Sequence, residues 1–320
     1  MKGSALSTIL GELRVSGAIV LSQAHPIPWS IRVPRGNTLR PYLGVSDDVT
    51  VVPFHIAHRG HFDLITAKGK SITVQSNQMV MCANGQGHVM GSGEARQTRS
   101  FEEVMSGGSF HSPASETGNT EVVCGVFMLR NTKHNPMIMA LPDFVLIDVF
   151  GSDSSHTMQQ LHAMLKDELS KNRQAQSYML ERVLELMYAE SIRLYTEMQH
   201  TDSPGWLSAI RDSRIGPAIS YIHDNLTESI TIDQLAQLVA LSPSRFAALF
   251  KASVGISPKA YIGTQRQALA ARRLLESKLS IQEIAHECGY RSMPSFSKLF
   301  LKQFGCTPSQ WRRQGESEIC

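Results

Sequence analysis

The chain has 320 residues, 42% of them hydrophobic and 18% charged, with a formal net charge of +3 and five cysteines. That length and apolar content suffice for about two domains with buried cores. An odd cysteine count (Cys82, Cys124, Cys288, Cys306, Cys320) without a Cys-x-x-Cys pair excludes a disulfide framework and a zinc ribbon.

No apolar run approaches membrane-spanning length, and Met1 to Leu13 lacks the apolar core and cleavage site of a signal peptide. The expected compartment is a reducing cytoplasm, with no membrane partner.

From Ala18 to about Arg130 the chain reads as short strands: Ala18–Ser22, Trp29–Val33, Val49–Ala57, His61–Thr66, Ser71–Val74, Gln78–Cys82 and Glu121–Leu129. Lys68-Gly69-Lys70 makes a hairpin turn between two of them, and the set predicts a small β-barrel or sandwich. In Glu121–Leu129 both alternating faces are apolar, so this strand is expected to be covered on both sides. Asn84 to Thr120, rich in glycine and serine, reads as a long mobile loop able to act as a lid.

Within this region His55 and His58 stand three apart, on opposite faces of a strand. His55, His58, His88 and His25 could converge on a metal or a small acidic ligand; the alternative is histidines that hydrogen-bond locally at strand ends and in loops. Cys82 and Cys124 form a candidate redox pair, provided that their strands are neighbours, although buried cysteine is more often inert.

Residues from about His156 to Gln199 predict two helices, the second with Leu180, Val183, Leu184, Met187 and Leu194 on one stripe around small Ser191. The stripe suits either packing against the barrel or a dimer interface. Thr201 to Gly205 breaks this helix, and Trp206 to Asp212 leads onward.

Beyond it one pattern is written twice. Thr231-Ile-Asp-Gln234-Leu-Ala and Ser280-Ile-Gln-Glu283-Ile-Ala each open with a capping box. Turns follow at Ala240-Leu241-Ser242 and Gly289-Tyr290-Arg291, and second helices begin at Ser242-Pro243 and Ser292. Phe246, Phe250, Gly255, Pro258 and Tyr261 then recur 50 residues later as Phe296, Phe300, Gly305, Pro308 and Trp311. Phe246, Leu249 and Phe250, like Phe296, Leu299 and Phe300, predict a buried stripe, which leaves the opposite faces free to enter a groove. A helix from Ser257-Pro258 to about Leu275 should hold the two units at a fixed separation. Arg214 to Arg313 carries 13 Lys and Arg against 6 Asp and Glu, while the remainder carries 18 against 22, the asymmetry expected of a phosphate-contacting module on an acidic body.

The run Leu-Ser-Pro-Ser-Arg-Phe…Phe-Lys…Gly…Ser-Pro…Tyr, followed by Ile-Ala…Gly-Tyr…Phe…Phe…Phe-Gly-Cys-Thr-Pro…Trp-Arg, resembles the AraC/XylS group of bacterial transcriptional regulators. Ala24-His-Pro-Ile-Pro-Trp29, Pro53-Phe-His-Ile-Ala-His-Arg-Gly60, Asn84-Gly-Gln-Gly-His88, Val123-Cys-Gly125 and Leu141-Pro142 resemble the cupin-type sensor domain of one branch of that group. The resemblance implies an α+β multidomain chain: a cupin-like sensor β-barrel over 1–150, a helical connector over 151–213, and an all-α double helix-turn-helix domain over 214–320.

It further implies a signal-responsive, sequence-specific DNA-binding regulator without catalytic chemistry. Its partners would be operator DNA, a small-molecule effector or redox signal, RNA polymerase and a second copy of the chain. The expected DNA-facing residues are Ser242, Ser244, Arg245, Ala247, Ala248 and Lys251 in the first unit, Arg266 on the linking helix, and Ser292, Met293, Ser295, Ser297, Lys298 and Lys302 in the second. Lys298 and Ser295 are expected to read bases, and Lys251, Arg266 and Lys302 to hold phosphates. The other readings are a metal-dependent cupin enzyme with a DNA-binding tail, which the spacing of His55 and His58 opposes, and a non-specific architectural DNA binder. No cofactor is expected, apart from a metal in the barrel.

Overall fold

The computed structural model describes residues 4–95, 97–106, 120–130, 132, 135–150, 154–171, 174–199 and 205–317. In chain order the elements begin with α1 (Ala5–Glu12), β1 (Arg14–His25), β2 (Trp29–Val33), α2 (Gly36–Leu43), β3 (Thr50–Arg59), β4 (Phe62–Thr66), β5 (Ser71–Val74) and β6 (Gln78–Met81). There follow β7 (His88–Ser92), β8 (Arg99–Ser100), α3 (Phe101–Ser106), β9 (Thr120–Arg130), α4 (Pro136–Ala140), β10 (Val145–Asp148), α5 (His156–Ser170) and α6 (Gln176–Met198). The rest is helical: α7 (Trp206–Ala209), α8 (Gly216–Asp224), α9 (Ile232–Leu238), α10 (Pro243–Val254), α11 (Pro258–Glu276), α12 (Ile281–Glu287), α13 (Met293–Phe304) and α14 (Pro308–Ser317).

These elements form two compact units, one of residues 13–130 and 141–198, the other of residues 1–12, 131–140 and 199–320. The division differs from the expected cuts at 150 and 213. The first helix and α4 join the C-terminal helices, and the connector helices join the sheets.

The sheet unit holds two five-stranded sheets, in the orders β1-β9-β3-β6-β10 and β5-β4-β7-β2-β8. The two sheets pack face to face as a sandwich, and among the described residues no strand pairing joins their edges. One core lies between the sheets, where Leu21, Ala57, Val80 and Val122 of the first meet Trp29, Ile31, Phe62, Leu64 and Met90 of the second. The turn at Gly69 (φ +78°) joins β4 to β5, with the Thr66 amide donating to the Lys70 carbonyl over 2.9 Å. That left-handed φ suits a residue without Cβ.

Both faces of β9 are buried from Val122 to Phe127, because one looks into the sandwich and α6 covers the other. Phe127 meets the Tyr188 ring at 5.2 Å, and a methyl group on Gly17 of β1 would stand 2.6 Å from Leu184 Cβ. The stripe of α6, including Val183, Leu184, Met187 and Leu194, is therefore spent on the sheet and on α5. Tyr178, Met179 and Leu186 remain exposed on its other side.

The expected loop from Asn84 to Thr120 contains β7, β8 and α3, and 107–119 lie outside the described residues. Periodicity was too short to reveal β7, β8 or β10, whose partners lie far along the chain.

In the helical unit α1 packs on α8, with the Ala5 amide donating to Ser220 Oγ over 3.1 Å and Arg272 paired with Glu12 at 3.4 Å. Tyr261, 2% exposed, is its central polar link: Trp206 Nε1–H donates to the phenol oxygen over 2.7 Å, and His223 Nε2 lies 2.7 Å from the same oxygen. Burial pushes His223 down to about 4, so its ring is neutral. Tyr261→Phe is expected to lower stability by about 2 kcal/mol, since it leaves a buried donor and a buried ring nitrogen unserved. Urea denaturation checks it, and a loss below about 0.5 kcal/mol would show that Trp206 and His223 find other partners.

Candidate nucleic-acid interface and sensor cavity

The repeated motif is built as its caps dictate. Thr231 Oγ1 accepts from the Gln234 amide over 3.2 Å while Gln234 Oε1 accepts from the Thr231 amide over 3.0 Å, and Ser280 with Glu283 does the same over 3.1 and 2.7 Å. These boxes satisfy free amides at the starts of α9 and α12. Both turns need a left-handed residue, Ala240 (φ 54°) in one and Gly289 (φ 78°) in the other. Gly289 meets a second demand, because a Cβ there would lie 2.8 Å from the Arg266 guanidinium carbon. The next helices, α10 and α13, end at Gly255 and Gly305, again with positive φ.

Phe246 and Phe250 anchor α10, and Phe296 and Phe300 anchor α13, all fully buried. On α10 Ser244, Arg245, Ala248 and Lys251 are exposed, with Ser242 just before it, and Ala247 is half-buried. On α13 Ser295, Lys298 and Lys302 are exposed, with Ser292 just before it, while Met293 and Ser297 are half-buried and Met293 packs on the motif's own core. Leu299, expected in the buried stripe, is 44% exposed. Phe296 and Phe300 fill the ridge four residues apart, and Leu299 falls on the shoulder between Ser295 and Lys302.

Arg266 also departs from expectation. Its guanidinium donates to three backbone carbonyls, those of Leu226 at 2.8 Å, Gly289 at 3.5 Å, and Glu228. An arginine so engaged fastens the segment before α9 to the second turn rather than waiting for phosphate. Arg312 does the same for the segment before α12, donating to Leu274 O at 3.2 Å and Leu279 O at 2.6 Å. No spacing rule signals such partners.

In the sheet unit a cavity of about 220 Å³ opens between α2 and α3. Its walls are Ala18, Ile19, Val20 and Leu21 of β1, Ile31 and Val33 of β2, Pro53 and His55 of β3, Met90 of β7, and Cys124, Gly125 and Val126 of β9. Leu39, Tyr42 and Leu43 of α2 and Phe101, Val104 and Met105 of α3 complete it. Tyr42 meets Phe101 edge-on at 5.6 Å and donates to Glu102 Oε1 over 3.1 Å, which ties the two helices together.

The four histidines do not converge. His55 Nε2 and His88 Nε2 lie 2.8 Å apart, and His88 Nδ1 lies 3.1 Å from the Gln86 carbonyl oxygen and 3.6 Å from Cys82 Sγ. His58, on the other face of β3, meets His162 at 2.8 Å, a partner from α5 that sequence reasoning missed, and Glu121 at 3.8 Å. His25 stacks on Trp29 with centroids 4.9 Å apart. Burial lowers every one of these rings: His55 well below the ordinary range, His58 and His88 to about 4, His162 to about 3, and His25 downward with help from Arg99.

His55, His88 and Cys82 bring two imidazole nitrogens and a thiol within 4.8 Å of one another. The donor set suits a soft cation, but the nitrogens are 2.8 Å apart, closer than two ligands of one zinc ion, which are separated by roughly 3.3 Å. No carboxylate belongs to the cluster among the described residues. This is the geometry of a hydrogen bond, and the residues as arranged do not fit a metal.

The cysteine pair fails on topology. Cys124 lies opposite His55 on β9, and the Cys82 amide bonds Pro53 just past the end of β6, so β3 runs between them. Two strand spacings make about 9.5 Å, beyond the reach of a disulfide. Burial also pushes the Cys124 thiol up to about 12 and that of Cys82 higher still, which leaves both poor nucleophiles. Cys288 is buried under the second turn, Cys306 is half-buried, and Cys320 lies outside the described residues.

Residues 4–197 match the cupin family profile, and residues 235–314 match that of the helix-turn-helix domain. The chain is 27% identical over 279 residues to the HTH-type transcriptional regulator AlkR of Acinetobacter baylyi, covering 84% of this chain and 90% of that one. It is 24% identical to the HTH-type transcriptional regulator MtrA of Neisseria gonorrhoeae, covering 76% and 79%. Among solved structures, a transcriptional regulator with an AraC-type DNA-binding domain from Chromobacterium violaceum is 30% identical over 33% of this chain and 94% of its own, with a TM-score of 0.32. Among the described residues no helix is long and apolar enough to cross a membrane.

Proposed function

Because the chain belongs to the AraC-type DNA-binding transcriptional regulators with an N-terminal cupin domain, we infer that it is a signal-responsive regulator. Its α10 and α13 read two successive major-groove segments, and an effector in the cavity between the sheets adjusts that reading. One observation carries it: two helices that each follow a capping-box helix and end at a left-handed glycine present exposed Ser244, Arg245 and Lys251 in one motif and Ser295, Lys298 and Lys302 in the other. Helices that read one face of a duplex sit about one helical turn, roughly 34 Å, apart.

The sensor is read as a binding site rather than a catalyst, since His55 and His88 engage each other. Exposed Tyr178, Met179 and Leu186 on α6 support a symmetric dimer, the commonest oligomer, and the regulator works beside the chromosome, in the cytoplasm, with RNA polymerase. An effector switches it only by binding one arrangement better than another.

Selection of DNA fragments by the full-length protein, with and without candidate effectors, tests this reading. Retention of random sequence under every condition would sink it. The same selection tests the division of labour between the motifs. Lys298→Ala and Ser295→Ala are expected to relax the preferred sequence, with Lys298→Ala weakening the best site by about tenfold, the cost of one good base contact. Ser244→Ala should change less, because Ala247 and Ala248 beside it offer only methyl contacts. A relaxed preference in Ser244→Ala with none in the other two would make α10 the main reader.

A further inference from the structure

We propose that the sensor cavity takes a small uncharged molecule with an apolar body and one hydroxyl group, a phenol or an alcohol of about nine heavy atoms, and that Nδ1 of His55 accepts its hydrogen bond. The proposal rests on the reading of the cavity as the effector site and adds the chemistry of the occupant.

The argument follows one chain of protons. The Gln86 carbonyl can only accept, so the 3.1 Å contact places a proton on His88 Nδ1. Burial keeps His88 neutral, which leaves its Nε2 as a lone pair. The 2.8 Å contact between the two Nε2 atoms then requires His55 to donate from Nε2. His55 is neutral too, held so by burial and by His88, and its Nδ1 is therefore a bare acceptor. That atom is buried without a hydrogen-bond partner, and His55 is among the residues that line the cavity.

A buried acceptor left unserved is costly, and a ligand hydroxyl would serve it. Water is a poor substitute, because it needs two to four polar partners, and the other polar side chains among the described walls are the Cys124 thiol, a weak donor, and the Tyr42 hydroxyl, which already donates to Glu102. Among the described residues no wall of the cavity carries a cationic group, which disfavours an anion, since an unpaired buried carboxylate is costly. Size follows from volume: an apolar cavity of about 150 Å³ holds benzene, so 220 Å³ holds about half as many atoms again.

Titration calorimetry of the full-length protein with 4-ethylphenol, 4-ethyltoluene and benzoate tests this, since the three match in size and differ in the donor and the charge. The phenol is expected to bind about tenfold more tightly than the hydrocarbon, the effect of one hydrogen bond, and benzoate not at all. His55→Phe should erase the preference, and Ala18→Phe, which fills the cavity, should abolish both affinities. Should His55→Phe not fold, histidine ¹⁵N spectra of the parent read the tautomers directly: Nε2–H on His55 and Nδ1–H on His88 are expected.

Equal affinities, tighter benzoate, absence of phenol binding, or a proton on His55 Nδ1 would each overturn the proposal. Operator affinity with and without the phenol is measured separately. A selectively bound phenol that leaves DNA affinity unchanged would uphold the ligand class and defeat the cavity as the effector site.

Discussion

Phe300→Ala should lower the stability of the helical unit by about 3–5 kcal/mol and remove most specific DNA binding. Phe300 is fully buried and touches three rings, those of Phe296 at 5.7 Å, Phe304 at 4.4 Å and Trp311 at 6.1 Å. The core around it is small, with Ala270, Ala271, Leu274, Ile284, Ala285 and Cys288 as its other inner members besides Phe296. Four of those six are alanine or cysteine, too short to fill the space a phenyl ring vacates. The loss falls on the face that fixes α13, so Ser295 and Lys298 would lose their common orientation. Phe250→Ala should cost a similar amount in the first motif while sparing the second. Urea denaturation and DNA titration on the same samples decide it. A stability change under about 1 kcal/mol would show that the core closes over the gap.

Salt should weaken binding steeply. Arg245 and Lys251 on α10, and Arg291 and Lys302 beside or on α13, are exposed, and each phosphate contact adds about −0.9 to the slope of log affinity against log salt. Four contacts give a slope near −3.6, so raising salt from 50 to 200 mM should lower affinity by about 150-fold per protomer. Lys302→Ala should make the slope shallower by about one while leaving sequence preference intact. Arg266→Ala supplies the contrast: its three carbonyl partners predict a loss of stability with an unchanged slope. A shallower slope in Arg266→Ala, without a change in unfolding, would return Arg266 to the phosphate contacts.

The doubled motif was legible because its parts are local. Capping residues, a left-handed turn and paired phenylalanines each act within a dozen residues, so their spacing carries the structure. Arg266 was misread for the opposite reason, since its partners lie 23 to 40 residues away and no local pattern distinguishes a fastened arginine from a free one. Alternation along β3 correctly separated His55 from His58. What each ring meets depends on other strands and helices, which is why His162 and the Gln86 carbonyl were invisible. The redox pair hinged on strand order, and β3 lying between β6 and β9 is a tertiary fact.

The bond from the Ala5 amide to Ser220 spans 215 positions, and this separation bears on how the protein is made. Ribosomes add about 5–20 residues per second, so the first helix is synthesised roughly 10–45 s before its docking partner. Throughout that interval Ile9, destined to be wholly covered, lacks the C-terminal helices of its own unit to lie against. The sheets can assemble meanwhile, so the nascent chain completes its sensor while the helix that will brace the DNA reader still waits. Chaperones that hold short apolar segments at the ribosome would find their client in α1.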